Sequence, residues 1–394
     1  MRVEQMLRAV LGSCRSIHAR RALSFSAAVA AVISAGQLTL TAIGRSYRSS
    51  TPKHGIKRAD RLVGNFKLWG ERLILLRALA GYLVRGVARP TILIDWTSVG
   101  DGTRQCALVA AVPFAGRAIP ILFEVHSLRR YGRAEVHRRF LHRLSAVLPQ
   151  RCSPIIVADA GFKMPFYRAV AAFGWGYVIR VRGSNRRFGP LRMSDLLGRA
   201  LAAPKDLGTL PLLQRDGFGP RLVLGPKSLL RRRFTDAHRR SAAEPWLLAT
   251  NLHRHACCEI VAIYATRMRI EESLRDTKCA RYGWAFDYAR SRRAERLEML
   301  LLVGAFATFV VTMIGAVAES RGWARQLQAN TIRDRRVLSL FHVGRFVLCS
   351  SRFKLDLSTI RSGAAQLRCQ LSAIAPRRAN GFSLPQFSLI LDGK

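Results

Sequence analysis

TILIDWTSVGDGTRQCALVAAVPFAGRAIPILFEVHS, Thr91 to Ser127, contains three apolar runs separated by two short turns. Thr91–Trp96 is rich in β-branched residues and ends on an acid and an aromatic. Cys106–Phe114 and Ala118–Ser127 are the second and third runs. Apolar runs of this length bounded by glycine-bearing turns read as strands. The turns at Gly100–Arg104 and Gly116 are too short for a crossover, so the three strands form an antiparallel meander.

Downstream, YGRAEVHRRFLHRLSAVLP places Val136, Phe140, Leu144 and Leu148 on one face of a helix. PIIVADAG (Pro154–Gly161) is a buried strand, a helix runs to about Phe173, and GYVIRVRG (Gly176–Gly183) is another strand. Three antiparallel strands, helix, strand, helix, strand is the element order of a ribonuclease-H-like fold, an α/β mixed sheet with helices on both faces. From about residue 184 to 244 the periodicity breaks in a stretch rich in Gly, Pro and Arg, which reads as an inserted β subdomain. Regular structure resumes at PWLLATNL, Pro245–Leu252. Upstream, Gln37–Ser46 offers Thr39 or Thr41 as a helix N-cap. The expected organisation is therefore a helical N-terminal DNA-binding region (1–75), a catalytic core in two parts (85–183 and 245–320), the insertion between them (184–244), and a C-terminal region (321–394).

Lys and Arg number 65 against 24 acids, a formal charge of +41, while 49% of the chain is hydrophobic. That combination excludes a disordered basic tail and describes a folded protein with a basic surface. Such a surface attracts a polyanion by phosphate neutralisation and counterion release, which points to nucleic acid. The competing partner is an anionic membrane. Met299–Ala318 carries no charge and follows Arg292, Arg293 and Arg296, and Ala22–Gly36 imitates a secretory signal. A fully buried core helix gives the same pattern, and that is the expected reading. The eight cysteines are scattered with no CxxC pair, which suits a reducing cytoplasm. His253 and His255 beside Cys257 and Cys258 match no common zinc spacing.

Asp95 and Asp159 each end a hydrophobic run, and strand ends of a central sheet are where side chains converge on a shared site. A third acid comes from YATRMRIEESLRDTK, Tyr264–Lys278. On one continuous α-helix, Tyr264, Arg267, Glu271 and Lys278 share a stripe about 60° wide, while Glu272 falls off it and pairs with Arg269 or Arg275. Three carboxylates, two on strands and one on a following helix, can hold two divalent cations of the kind that activate a hydroxyl and stabilise the leaving oxygen of a phosphodiester. Hard oxygen donors favour Mg²⁺, with Mn²⁺ as a substitute. Tyr, Arg and Lys beside the third acid supply donors to phosphate oxygens.

The spacing Tyr-x2-Arg-x3-Glu-x6-Lys resembles the signature of the insertion sequence 4 family of bacterial DDE transposases. RMRIEESLRDTK, EPWLLATNL, IDWT, VADAGFKMPFY and HGIKRADRLVGN resemble the subgroup of the Tn-ten transposase, from about residue 35 to 347. The resemblance implies that Asp95, Asp159 and Glu271 are the catalytic, metal-binding triad. It also implies cut-and-paste transposition through a DNA hairpin, with binding to terminal inverted repeats, and phosphate contacts by Tyr264, Arg267 and Lys278. Trp246 matches a tryptophan that takes part in base flipping; the alternative is a core anchor at a strand start. Met268 stands where some relatives carry an aromatic. The expected partners are double-stranded DNA, as transposon ends and target, and a second copy in a synaptic homodimer, with no membrane. The tail beyond about Val347 departs from the family pattern and leaves assembly and activity open. Two rivals remain: a DNA-binding protein with an inactive domain, and a metal-dependent nuclease or resolvase without strand transfer.

Overall fold

The computed structural model describes residues 3–355 apart from 48–49, 101–103, 184–186, 189–190, 210–218, 227–243, 330, 333–335 and 354. Six helices come first: α1 (Val3–Leu11), α2 (Ala19–Ala35), α3 (Leu40–Arg45), α4 (Pro52–Val63), α5 (Phe66–Gly70) and α6 (Arg72–Leu83). Polar side chains start three of them, His18 Nδ1 accepting from the Arg20 amide at 3.2 Å ahead of α2. Thr39 Oγ1 accepts from the Ala42 amide at 3.2 Å and Asn65 Oδ1 from the Leu68 amide at 2.9 Å.

The meander follows as β1 (Thr91–Val99), β2 (Gln105–Phe114) and β3 (Arg117–Ser127). Phe114 pairs with Arg117 across a two-residue loop, Ala115 and Gly116, whose φ values of 44° and 86° belong to a primed hairpin turn. Next come α7 (Ala134–Val147), β4 (Ile155–Ala158), α8 (Met164–Ala172) and β5 (Gly176–Val181). A minimal hairpin, β6 (Arg187–Phe188) and β7 (Leu191–Arg192), precedes α9 (Met193–Gly198), β8 (Lys205–Thr209), β9 (Arg221–Leu224) and β10 (Leu247–Thr250). Four more helices follow among the described residues: α10 (Cys257–Ala265), α11 (Met268–Lys278), α12 (Ala294–Ser320) and α13 (Leu340–Cys349).

The central sheet runs β3-β2-β1-β4-β5-β10-β9-β8. β1 is antiparallel to β2 and parallel to β4, and β4 is parallel to β5. This is the mixed ribonuclease-H-like sheet expected from the element order, flanked by helices: α11 and α12 pack on β3, α10 on β5, α7 on β3 and α8 on β5. The segment 184–244, read from the sequence as an inserted β subdomain, adds β9 and β8 to this same sheet and contributes α9. Buried Arg221 on β9 fastens it, donating to the carbonyls of Leu252 and His255 and pairing with Asp206 of β8. Residues 210–218 and 227–243 of that call lie outside the described residues, as does 356–394 of the C-terminal call.

β3 is an edge strand, and two of its outward amides find partners on helices. Ala118 N donates to Ser273 Oγ of α11 at 2.6 Å, and Val125 N to Glu298 of α12 at 3.0 Å. Glu298 also accepts from Trp69 Nε1 and pairs with Arg72, so one buried carboxylate joins the N-terminal helices to the sheet.

α12 is 27 residues long and apolar enough to cross a membrane, but 89% of its apolar window is buried inside the fold. α13 crosses it backbone to backbone: a Cβ on Gly344 would lie 1.9 Å from the Val311 carbonyl oxygen, and one on Gly315 as close to that of Leu340. The described part of the C-terminal region is thus packed onto the core helix.

Candidate active site

Parallel pairing of β1 with β4 ends at Ile94 opposite Ala158. Asp95 and Asp159 are the next residues on each side, so the register brings the two acids together. β1 itself continues to Val99, paired only with β2, so Asp95 lies where the parallel pairing stops rather than at a strand end. Asp95 Oδ1 accepts from the Trp96 amide at 2.8 Å and Asp159 Oδ1 from the Gly161 amide at 2.8 Å.

The neighbour of Asp95 is anchored on the other side. Trp96 Nε1 donates to His137 Nε2 on α7 at 3.1 Å. Burial pushes the His137 imidazole down to about 4, which keeps that nitrogen a neutral acceptor. Successive strand residues point to opposite faces, so fixing Trp96 against α7 turns Asp95 toward α11.

The helical stretch is not one continuous helix. The amides of Thr266, Arg267, Arg269 and Ile270 all bond to the carbonyl three residues back, making a 3₁₀ step between α10 and α11. At about 120° per residue, positions three apart eclipse, so Tyr264 and Arg267 still share a face. Tyr264 is buried and its ring meets that of half-buried Trp246 edge-to-face, with centroids 4.9 Å apart. Burial raises its hydroxyl pKa against the pull of Arg267 and Arg180.

Arg267 lies across the carboxylates, 3.5 Å from Asp95 Oδ2 and paired with Glu271 Oε1. Burial pushes the Asp95 carboxyl up to about 7; Arg267 opposes that rise, while the charges of Asp159 and Glu271 add to it. Lys278 donates to Ser98 Oγ at 3.1 Å, and burial lowers its pKa against the attraction of Asp287 and Asp95. Glu272 points elsewhere, to Arg275 and Arg117.

The donor chemistry suits a hard divalent cation: Asp95 feels the charges of both Asp159 and Glu271, and a guanidinium occupies the cationic position between Asp95 and Glu271. Among the described residues, no three His, Cys, Asp or Glu side chains yet stand close enough together to grip an ion.

Arg180 on β5 is a site residue that the sequence reading passed over. It is 12% exposed, pairs with Glu244 at 2.8 Å and is electrostatically coupled to Tyr264 and Arg267. Within GYVIRVRG it was one arginine among many, and only the strand order places β5 beside β4 and β10.

A profile of the Transposase DDE domain family matches residues 88–308, more than half of the chain and the whole of this site. The chain belongs to the transposase DDE domain family. Membership makes it an enzyme of DNA transposition and recombination, and divalent metal ions generally serve such enzymes. No curated protein matches the chain. Among solved structures, this transposase is similar to the piggyBac transposase synaptic complex with hairpin DNA, at 15% identity over 92% of this chain and 77% of that one, with a TM-score of 0.40.

Proposed function

We propose that this transposase moves a bacterial insertion sequence by cut-and-paste, in the manner of the insertion sequence 4 family and its Tn-ten subgroup. Asp95, Asp159 and Glu271 are the catalytic carboxylates. The observation that carries the reading is the register that sets Asp95 beside Asp159, with Glu271 held over Asp95 by Arg267. Those three carboxylates would hold two Mg²⁺ ions, or Mn²⁺ in their place, which supply activation of water or a 3′-hydroxyl and neutralise the phosphodiester.

The protein's own residues do the rest. Arg267 exchanges its carboxylate partners for phosphate oxygens of the DNA end, joined by Lys278 and the Tyr264 hydroxyl. Trp246, seated on Tyr264, receives or replaces the base displaced when the freed 3′-hydroxyl forms a hairpin. The helices of residues 1–75 bind the terminal inverted repeats, and two copies synapse the ends through contacts that include residues 321–394. The reaction takes place in the cytoplasm on nucleoid DNA, with no membrane.

The test combines full-length protein, linear DNA carrying the element's ends, and Mg²⁺. Hairpin-ended fragments should appear, and should vanish in Asp95→Ala, Asp159→Ala and Glu271→Ala. Trp246→Ala should impair hairpin formation or opening more than the first nick. Cleavage that survives all three carboxylate changes would sink the assignment.

A further inference from the structure

Between β3 and α7 the chain reads SLRRYGR, Ser127–Arg133, and every residue of it is exposed. Tyr131 is 54% exposed, yet it is not loose. Its amide bonds to the Leu128 carbonyl at 3.0 Å, Gly132 follows with φ of 69°, and α7 begins two residues later. The ring rests 5.2 Å from that of Trp96, the residue next to Asp95. Trp96 is itself held by His137, whose ring lies against Phe162, three residues beyond Asp159. A chain of rings thus sets Tyr131 at the rim of the two-aspartate site, near enough that Asp159 and Asp95 raise its hydroxyl pKa, after burial. Arg129, Arg130 and Arg133 flank it in the sequence, all exposed, and no acid lies among them.

An exposed aromatic held rigidly among arginines is the arrangement that tracks a nucleic-acid strand: cations take the phosphates and the ring takes a base. We propose that the Ser127–Arg133 loop is a DNA-strand platform, with Tyr131 stacking on the unpaired or frayed base next to the cut phosphodiester. Arg129, Arg130 and Arg133 hold the flanking phosphates. The proposal rests on the transposase reading and extends it to a surface outside the Tyr-Arg-Glu-Lys set. Stacking here orders little backbone, because the turn is already closed.

The experiment uses full-length protein and two fluorescent duplexes, one with 2-aminopurine at the terminal base of the element's end and one with it in a target duplex. Stacking on Tyr131 should quench one of them, and the probe that responds identifies the strand bound. Tyr131→Phe should keep the quench; Tyr131→Ala should abolish it and weaken binding about tenfold, the range of a lost base–aromatic stack. Arg130→Ala should lower affinity for both duplexes and reduce the salt slope by about one phosphate contact. An unchanged melting temperature for Tyr131→Ala establishes that the fold is intact. Equal quenching by wild type and Tyr131→Ala on both probes overturns the proposal. So does a Tyr131→Phe as weak as Tyr131→Ala, since the hydroxyl and not the ring would then be at work. If wild type neither nicks nor forms hairpins with Mg²⁺, the transposition reading fails while the quenching result still reads on Tyr131.

Discussion

The guanidinium of Arg267 spans Asp95 and Glu271, one acid from the central strand and the other from the helix that follows. A cation is needed there, because two aspartates in register and a glutamate facing them crowd negative charge into a partly buried cleft. Arg267 supplies that cation from within the chain.

Removing Arg267 should therefore separate ion binding from DNA cleavage. In Arg267→Ala the carboxylates lose their internal competitor, so Mn²⁺ titrated calorimetrically into DNA-free protein should bind as tightly as in wild type or more tightly. Nicking should fall by roughly tenfold to a hundredfold, the worth of a charge-assisted hydrogen bond to phosphate. Weaker Mn²⁺ binding would mean that Arg267 supports the ion site rather than competing with it.

Asp276 should act as a positioning residue for Glu271. Buried on the far side of α11, it takes a 2.6 Å bond from Arg117 Nε at the start of β3, and Ser273 caps the Ala118 amide next to it. Together these lock the helix to the sheet edge. Asp276→Ala should raise the Mg²⁺ concentration needed for half-maximal nicking by about tenfold, since α11 then holds Glu271 less firmly. A loss of rate at an unchanged Mg²⁺ requirement would place its effect elsewhere.

Glu298 should matter for stability and for the coupling between regions. Its carboxylate serves Arg72, Trp69 and the Val125 amide, and both members of the ion pair are under 10% exposed. Glu298→Ala leaves a buried arginine unpaired, which costs about 3–5 kcal/mol. Urea denaturation should show that loss, and limited proteolysis should release the N-terminal helices first.

His137 sets an acid limit on stability. Its folded pKa, about 4, is depressed from 6.5, so the unfolded chain binds the extra proton. Stability is then full above about pH 6.5 and falls as the pH drops toward 4, by about 3 kcal/mol over the window. His137→Gln, which can still accept from Trp96, should flatten the melting temperature across that range.

Much of the fold was legible in the chain. Apolar runs with short turns specify a meander wherever they occur, because backbone groups in a buried run must pair with a neighbouring strand. The fully apolar Met299–Ala318 was equally legible as a helix, though its apolar surface alone does not say whether lipid or protein covers it. The packing of α13 through Gly315 and Gly344 answers that within this fold. The insertion was harder to read: β8 and β9 are only five and four residues long, and their place at the end of the central sheet depends on β9 pairing with β10 and β8 with β9.

The sequence by itself determined which acids end the apolar runs, and the Tyr-Arg-Glu-Lys spacing that follows them. Those features are local, set by residue type and by the short-range periods of strand and helix. Only the tertiary structure decided that Asp95 stands level with Asp159, that a 3₁₀ step brings Tyr264 in line with Arg267, and that Arg180 and Tyr131 belong beside them. Each of these depends on strand register and on contacts between distant segments, whose free energies come from packing the whole sheet and appear in no single stretch of the chain.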